Sequence, residues 1–443
     1  MGQKLEPAVY RVNLKDKRVM QTRHLRVCIS GTGFAGDFTA QVFRMIPHKN
    51  GVDIRLAGVT SGNLGNAERF AARHGVHRAF ASHAQMLEAV HPEIDCIACA
   101  NYVHGQYVEE AAQCGVKVIL LEKPPIIWPG YRQNRTADAA TRKYESMAAL
   151  KRVFDTVHEY GAKLLYAENF VYLDGVKAIV ELIAAAKSVG KGKVLVQQGV
   201  CAHQGSHAPA YDSPEKSGGG ALFNKACHPL GPALYLKQIE GLLLQGKPIR
   251  PKAVYGMTRQ ILKHQPASAA EHFRVMQQVD DFGKMTVVFE DETIAELTGH
   301  DLNISGILNT FEVIADFGQY HVRANPNNEN ELFLPEGAVV GNLLLREKLP
   351  TAQGTSFPRP SQFHAHGYVN EIDDAVDCAL DAARVPQSSM LLAWDTLAVL
   401  LAAYESSEQH GAMVEIGDIV EQFPATPAVT PDPAHAGAVL QRG

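Results

Sequence analysis

Gly31-Thr32-Gly33-Phe34-Ala35-Gly36 follows the short apolar run LRVCIS (25–30) and opens the segment FAGDFTAQVFRMI, where Phe38, Val42 and Ile46 recur at helical spacing. A GxGxxG set between a strand and a helix leaves few folds open. The first glycine permits a tight turn, the second lets backbone amides approach a pyrophosphate, and the third lets helix and strand pack closely. The helix N-terminus adds a favourable dipole. Gly31, Thr32, Gly33, Phe34, Ala35 and Gly36 are therefore expected to hold a dinucleotide. The rhythm then continues, with the strand DIRLAGVTS, the helix NAERFAARHG, the helix SHAQMLEAV, the strand IDCIACA, the helix GQYVEEAAQCG and the strand VKVILLEKP. Alternation at this spacing implies right-handed βαβ units and a parallel sheet, and the continuous apolar strands fit a sheet covered on both faces.

The pattern changes near residue 124. A polar insert, IIWPGYRQNRTADAATRK, precedes the helix MAALKRVFDTVHEYG and the strand KLLYAENF. Beyond them, MTVVFEDETIAELTGH and NTFEVIADFGQYHV read as antiparallel structure with turns at Glu290–Asp291 and Phe317–Gly318. Two late helices and the short strand MVEI close the pattern. The expected fold class is α/β: an N-terminal Rossmann domain with a parallel sheet, plus a C-terminal α/β domain with an open, largely antiparallel sheet. The expected divisions are an N-terminal extension (1–24), the Rossmann domain (25–142), a substrate-binding and oligomerisation domain (143–416), and a Pro/Ala-rich tail (417–443) that is mobile unless it docks on a neighbour.

Composition excludes several classes. A formal net charge of −5 gives no electrostatic basis for nucleic acid or an anionic membrane. Seven cysteines without a CxxC pair argue for reduced thiols, not a disulfide framework or a zinc cage. His203 and His207 lie four apart, but no carboxylate or cysteine in the sequence completes a site with them, so no metal is expected. No apolar run reaches the roughly 20 residues of a membrane helix, and the polar first residues lack a signal core, so the expected location is cytoplasmic.

In a Rossmann fold the second strand ends on an acid when the ribose 2′-hydroxyl of NAD is held by a carboxylate. Here that end reads Val59, Thr60, Ser61, Gly62, Asn63. Nothing there repels the 2′-phosphate of NADP and nothing obvious binds it. Ser61 and Asn63 are ribose contacts on one reading and plain turn formers on the other. NAD is the cofactor expected, with NADP the alternative.

ILLEKPP (119–125) ends a strand at the carboxyl edge of the sheet, where open α/β folds place their ligands. Its Lys–Pro pair sets a cation beside the nicotinamide. Further on, SGGGALFNKACHPLG (217–231) carries Asn224 and His228, four apart and so on one helical face. A single histidine at such a place is more often structural than catalytic.

These segments, in this order, resemble the glucose–fructose oxidoreductase/inositol dehydrogenase (Gfo/Idh/MocA) family over roughly residues 25–416. Asn101 and His104 in CANYVHG are similar to the family's TPNxxH, and Glu122, Lys123 and Pro124 match its EKP. SGGGALFNKACH is similar to GGGxLxDxGxH, and GYVNEIDDAVDCAL and LAAYESSEQHGAMVEI resemble the closing helix and last strand.

The resemblance implies that Lys123 contacts the reacting hydroxyl and the nicotinamide ribose, and that His228 is the general acid/base. Asn101, His104 and Glu122 would lie on the cofactor side. Glu168, Asn169 and Tyr172, from YAENFVY, would face the substrate, unless they only close a strand end by local hydrogen bonds. Two departures stand out. Asn224 occupies a position where the family has Asp, and the insert with Trp128, Tyr131 and Arg132 is longer than the family's usual link, fit to lid the pocket or to form a dimer contact.

The activity implied is NAD(P)-dependent oxidation and reduction at a CH–OH group of a sugar, glycoside or cyclitol, by a homo-oligomer, dimer or tetramer. HPLGP (228–232) is similar to a segment of NAD-dependent α-N-acetylgalactosaminidases, so the alternative is a redox-assisted glycosidase or lyase on the same fold. Substrate choice is expected in the insert, in 201–216 and in the loop 262–275.

Overall fold

The computed structural model describes residues 23–132, 137–205, 209–304, 306–324, 332–334, 354–356 and 362–436. His207, most of the expected N-terminal extension and the last residues of the tail lie outside them.

The LRVCIS run is the heart of strand β1 (Arg23–Ser30), with Val27, Cys28 and Ile29 fully buried. The loop after it enters helix α1 (Phe34–Met45). Then follow β2 (Val52–Thr60), α2 (Leu64–His74), β3 (Arg78–Phe80), α3 (His83–Val90), β4 (Ile94–Ile97), α4 (His104–Gln113) and β5 (Val118–Glu122). Local chemistry fixes the helix ends. Asn63 and Ser82 cap α2 and α3 by accepting from the N–H groups of Asn66 and Gln85, and Gly75 closes α2 in the left-handed conformation.

The sheet does not stop at the expected boundary of residue 142. Helix α5 (Ala139–Glu159) leads to β6 (Lys163–Ala167), which pairs parallel with β5 from Val118↔Lys163 to Glu122↔Ala167. The parallel order is β3-β2-β1-β4-β5-β6, with the two-residue strand His48–Lys49 antiparallel at the edge. This is the doubly wound dinucleotide order.

Helix α6 (Asp174–Lys187) leads into the second sheet. Its strands are β7 (Val194–Ala202), β8 (Pro251–Arg259), β9 (Phe282–Phe289), β10 (Ile294–His300), β11 (Leu308–Ala315), β12 (Gly318–Arg323) and β13 (Val414–Glu415), in the order β12-β11-β7-β10-β9-β8-β13. Every pair is antiparallel except β7 with β10. The two expected hairpins are β9–β10 and β11–β12. One face packs on helices α8 (Cys227–Gln245) and α10 (Met390–Glu408), preceded in the chain by α7 (Ala221–Asn224) and α9 (Tyr368–Leu380) respectively. Both α8 and α10 are apolar nearly all round, as buried helices must be. On the other face Tyr255, Met257, Leu308 and Ile314 are exposed.

The tail is anchored on its own domain as far as residue 436. Phe423 stacks on Trp394 at 5.4 Å, its carbonyl accepts from Arg250 Nη1 at 2.8 Å, and the Val429 carbonyl accepts from Ser389 Oγ at 2.6 Å. No helix among the described residues is long and apolar enough to cross a membrane.

Candidate active site

Two adjoining clefts open at the carboxyl edge of the first sheet. One is bordered by Gly31 to Ala35, by Thr60, Ser61, Gly62 and Asn66, and by Ala98, Cys99, Ala100 and Tyr107. Gly31 has φ of +120°, and a Cβ on it would sit 2.2 Å from the Ala98 carbonyl oxygen. A Cβ on Gly36 would lie 2.2 Å from the Gly31 oxygen, whereas Gly33 has nothing within 4 Å. The first and third glycines thus allow close packing of protein on protein, and the second faces open space. Gly33 stands at the cap of helix α1 and offers no side chain, so the first amides of the helix remain for an anion.

Ser61 borders this cleft and accepts from Thr32 Oγ1 at 3.2 Å. Asn63 does not line it, because its side chain is engaged as the α2 cap. Asn66, one turn on, lines it instead and was not foreseen. Tyr107, also unforeseen, stacks at 4.1 Å on His83, which is clasped by Asp95 at 2.8 Å and Glu110 at 2.6 Å. Burial opposes charge on His83, but the two carboxylates outweigh it and raise its pKa.

The second cleft, about 430 Å³, runs from the ends of β4 and β5 to the second domain. Lys123 and His228 both border it, carried by opposite domains. The Lys123 Nζ donates to the Asn224 carbonyl at 3.1 Å. Burial works against its charge, but Cys227, Glu122 and Glu168 outweigh burial, and its pKa rises. Glu122 accepts from the Lys123 backbone N–H at 3.1 Å, and burial pushes its carboxyl up to about 7. Asn101 and Asn224 donate to one carbonyl, that of Ser217, at 3.4 and 3.5 Å, tying the Rossmann domain to the glycine run. The Asn224 amide also donates to the Gly219 and Gly220 carbonyls. A carboxylate at 224 would set negative charge against all three.

Several expected site residues do other work. His104 is fully buried, with its ring nitrogens against the Pro124 and Cys99 carbonyls, and burial lowers its pKa to about 4. It braces the EKP turn as a neutral ring and borders neither cleft, so it is not a cofactor contact. Tyr172 faces away from the cleft, donating to Asp374 at 2.8 Å and accepting from the Ser388 N–H at 3.1 Å. Asn169 does line the cleft, with its amide on the His366 carbonyl at 2.7 Å. Glu168 is wholly buried beneath His228, its Oε1 2.9 Å from Nδ1, and is not placed to touch substrate.

The described residues of the insert form no lid over the cleft. Trp128 is buried and donates to Glu145 at 2.7 Å, Tyr131 donates to the Gly218 carbonyl at 3.0 Å, and neither lines the cleft. Among the described residues of the segments expected to choose substrate, those lining the cleft are Cys201, His203 and Tyr211, from 201–216.

Sequence reasoning missed Lys225, His366 and Glu371, all on this cleft. Lys225 meets the Tyr211 hydroxyl at 3.0 Å and Asp301 at 3.5 Å. Its signal was a lysine within an otherwise apolar buried helix start. Asp301 also lies 3.8 Å from His203, the carboxylate the sequence did not reveal. Glu168, Cys227 and His228 present donor atoms within 4.8 Å of one another. A cation there would face the Lys123 ammonium and a thiol that burial pushes up to about 12.

A glycine-loop Rossmann domain joined to an open-sheet domain, with lysine and histidine converging between them, defines a dinucleotide-dependent oxidoreductase architecture. Residues 25–151 match the GFO_IDH_MocA model, described as an oxidoreductase family with an NAD-binding Rossmann fold. No curated protein matches the chain. Among solved structures it is similar to GenD2 from gentamicin A biosynthesis in complex with NAD (TM-score 0.69, 21% identity, covering 89% of this chain and 96% of that one). It is similar to scyllo-inositol dehydrogenase from Lactobacillus casei with NAD(H) and scyllo-inositol (0.65, 15%, 89% and 99%). It is also similar to levoglucosan dehydrogenase with NADH and levoglucosan (0.63, 17%, 89% and 100%). At such identities these likenesses concern the fold.

Proposed function

We propose that the chain is an NAD(P)-dependent dehydrogenase that moves a hydride between a nicotinamide cofactor and a hydroxyl-bearing carbon of a sugar, glycoside or cyclitol. One observation carries this reading. A buried lysine and a histidine–carboxyl pair border one cleft at the carboxyl edge of a Rossmann sheet, beside a glycine loop with room for a pyrophosphate.

The bound nicotinamide supplies the hydride acceptor in oxidation and the donor in reduction. The chain's own part concerns the proton and the charge. Lys123, steadied by the Asn224 carbonyl, donates to the reacting oxygen and offsets the negative charge that grows on it as its proton leaves. His228 takes that proton and returns it in the reverse direction, for which a near-neutral imidazole is suited. Asn101 and Glu122 flank the nicotinamide side, and Asn169 and Asn224 border the substrate side.

NAD is the cofactor proposed, supported by the family match. The end of β2 carries no acid to repel a 2′-phosphate, so NADP is the alternative. The assay offers the enzyme either cofactor with cyclitols, sugars and an aryl glycoside. Net reduced nicotinamide is the expected result. Aglycone release without it would identify a redox-neutral glycosidase, and neither product would leave a binding module.

The uncovered face of the second sheet, with Tyr255, Met257, Leu308 and Ile314, is the surface proposed to pair with another copy of the chain. Light scattering at micromolar concentration is expected to return a dimer or tetramer mass. A monomer mass would contradict it.

A further inference from the structure

We propose that Glu168 is the positioning residue for His228, its carboxylate holding Nδ1–H so that the base form carries its lone pair on Nε2, and that it stands in for the carboxylate absent at Asn224. This inference rests on the reading of His228 as the acid/base of the proposed reaction.

Three observations support it. The Glu168 Oε1 lies 2.9 Å from His228 Nδ1 and also accepts from the Phe170 N–H at 3.3 Å, so its direction is set by backbone as well as by the ring. The Phe170 ring lies against the imidazole, with centroids 4.9 Å apart and planes 29° from parallel, which limits rotation of His228. The chain also makes room for this carboxyl. Gly231 stands one turn past His228 on α8, and a Cβ there would sit 2.3 Å from Glu168 Cγ. At 224, by contrast, the amide is committed to backbone carbonyls and faces no imidazole nitrogen.

The proton inventory follows. In oxidation the substrate O–H bond breaks, an N–H bond forms at Nε2, and the carbinol C–H electron pair leaves as hydride to the nicotinamide. Nε2 accepts only when the pair has lost its shared proton. If the carboxyl keeps that proton it donates to Nδ1, and the ring's own hydrogen moves to Nε2. If the imidazolium keeps it, Nε2 is again protonated. Both one-proton states are therefore the acid form, and the pair titrates as a unit. Burial holds the Glu168 carboxyl well above the carboxylate range, and the carboxylate favours imidazolium, so both effects delay loss of the shared proton to higher pH. The other groups facing the pair are Lys123 and Glu122 at the end of β5, Cys227 on α8, Tyr166 on β6 and Glu371 on α9. The Lys123 cation opposes the delay, and burial keeps Glu122, Glu371 and the thiol from adding full negative charges.

The test is the titration of His228 in ¹⁵N-histidine NMR, with His228→Ala for assignment, in the wild type, Glu168→Gln and Glu168→Asp. The wild-type midpoint is expected above the ordinary histidine value of about 6.5 and the Gln variant's at or below it, with Asp restoring part of the difference. In the pH–rate profile for oxidation the same midpoint should move the same way, with kcat down about tenfold or more and KM within a fewfold. Thermal melts check that each variant is folded. An unchanged midpoint in a folded Gln variant overturns the proposal. A shifted midpoint in an enzyme that reduces no nicotinamide with any polyol supports the pairing and sinks the dehydrogenase reading.

Discussion

Lys123→Met is expected to lower kcat by about a hundredfold or more while leaving dinucleotide affinity within a fewfold. The side chain lies between the β5 end and the second domain, where its Nζ donates to the Asn224 carbonyl. Methionine fills similar volume but brings no charge, so the loss falls on the oxygen whose charge grows in the transition state. The glycine loop, which would carry most of the dinucleotide's anchoring, is untouched. Removing the cation also leaves the buried carboxyls Glu122 and Glu168 without their neighbouring counter-charge, so both should hold protons to still higher pH. Turnover near the wild-type rate, with a thermal melt unchanged, would remove Lys123 from the site.

His228→Ala is expected to lower oxidation by about two to four orders of magnitude and to erase the step in its pH profile. The substitution deprives Phe170 of its stacking partner and leaves Glu168 buried with one hydrogen bond fewer. A protonated Glu168 limits that cost to a neutral hydrogen bond. A lower melting temperature by a few degrees is therefore compatible with a folded protein. Should the variant keep the wild-type rate and profile, the proton would belong elsewhere. Tyr172 is not the substitute, since its hydroxyl is bound to Asp374 and the Ser388 amide. Lys123 would be the next candidate.

The Rossmann half was legible because its signals are local. Strand LRVCIS, the glycine loop and α1 are contiguous, and their spacing alone sets which glycine packs and which faces open space. The hairpins β9–β10 and β11–β12 were legible for the same reason. The domain boundary was not, because β6 joins the first sheet through pairing with β5 some 45 residues earlier, a contact that no local pattern announces.

Side-chain partners were least legible. Nothing near YAENFVY says that Glu168 meets a histidine sixty residues on, while Tyr172, four residues further along the chain, is bound to Asp374 across 202 residues. His104 sits in a motif whose family resemblance implies a cofactor contact, yet burial turns it into a brace for Pro124. The insert's length suggested a lid over the pocket, whereas Trp128 lies in the core against Glu145.

The central claim is direct hydride transfer between a polyol carbon and a nicotinamide, at the cleft between Lys123 and His228. Its most direct test follows a deuterium label. A cyclitol or sugar that is turned over is supplied with deuterium on its carbinol carbons, in ordinary water with NAD, and the reduced cofactor is weighed by mass spectrometry. The account predicts one deuterium per reduced nicotinamide. Reduced nicotinamide without deuterium, or no reduced nicotinamide from any polyol offered, would contradict it.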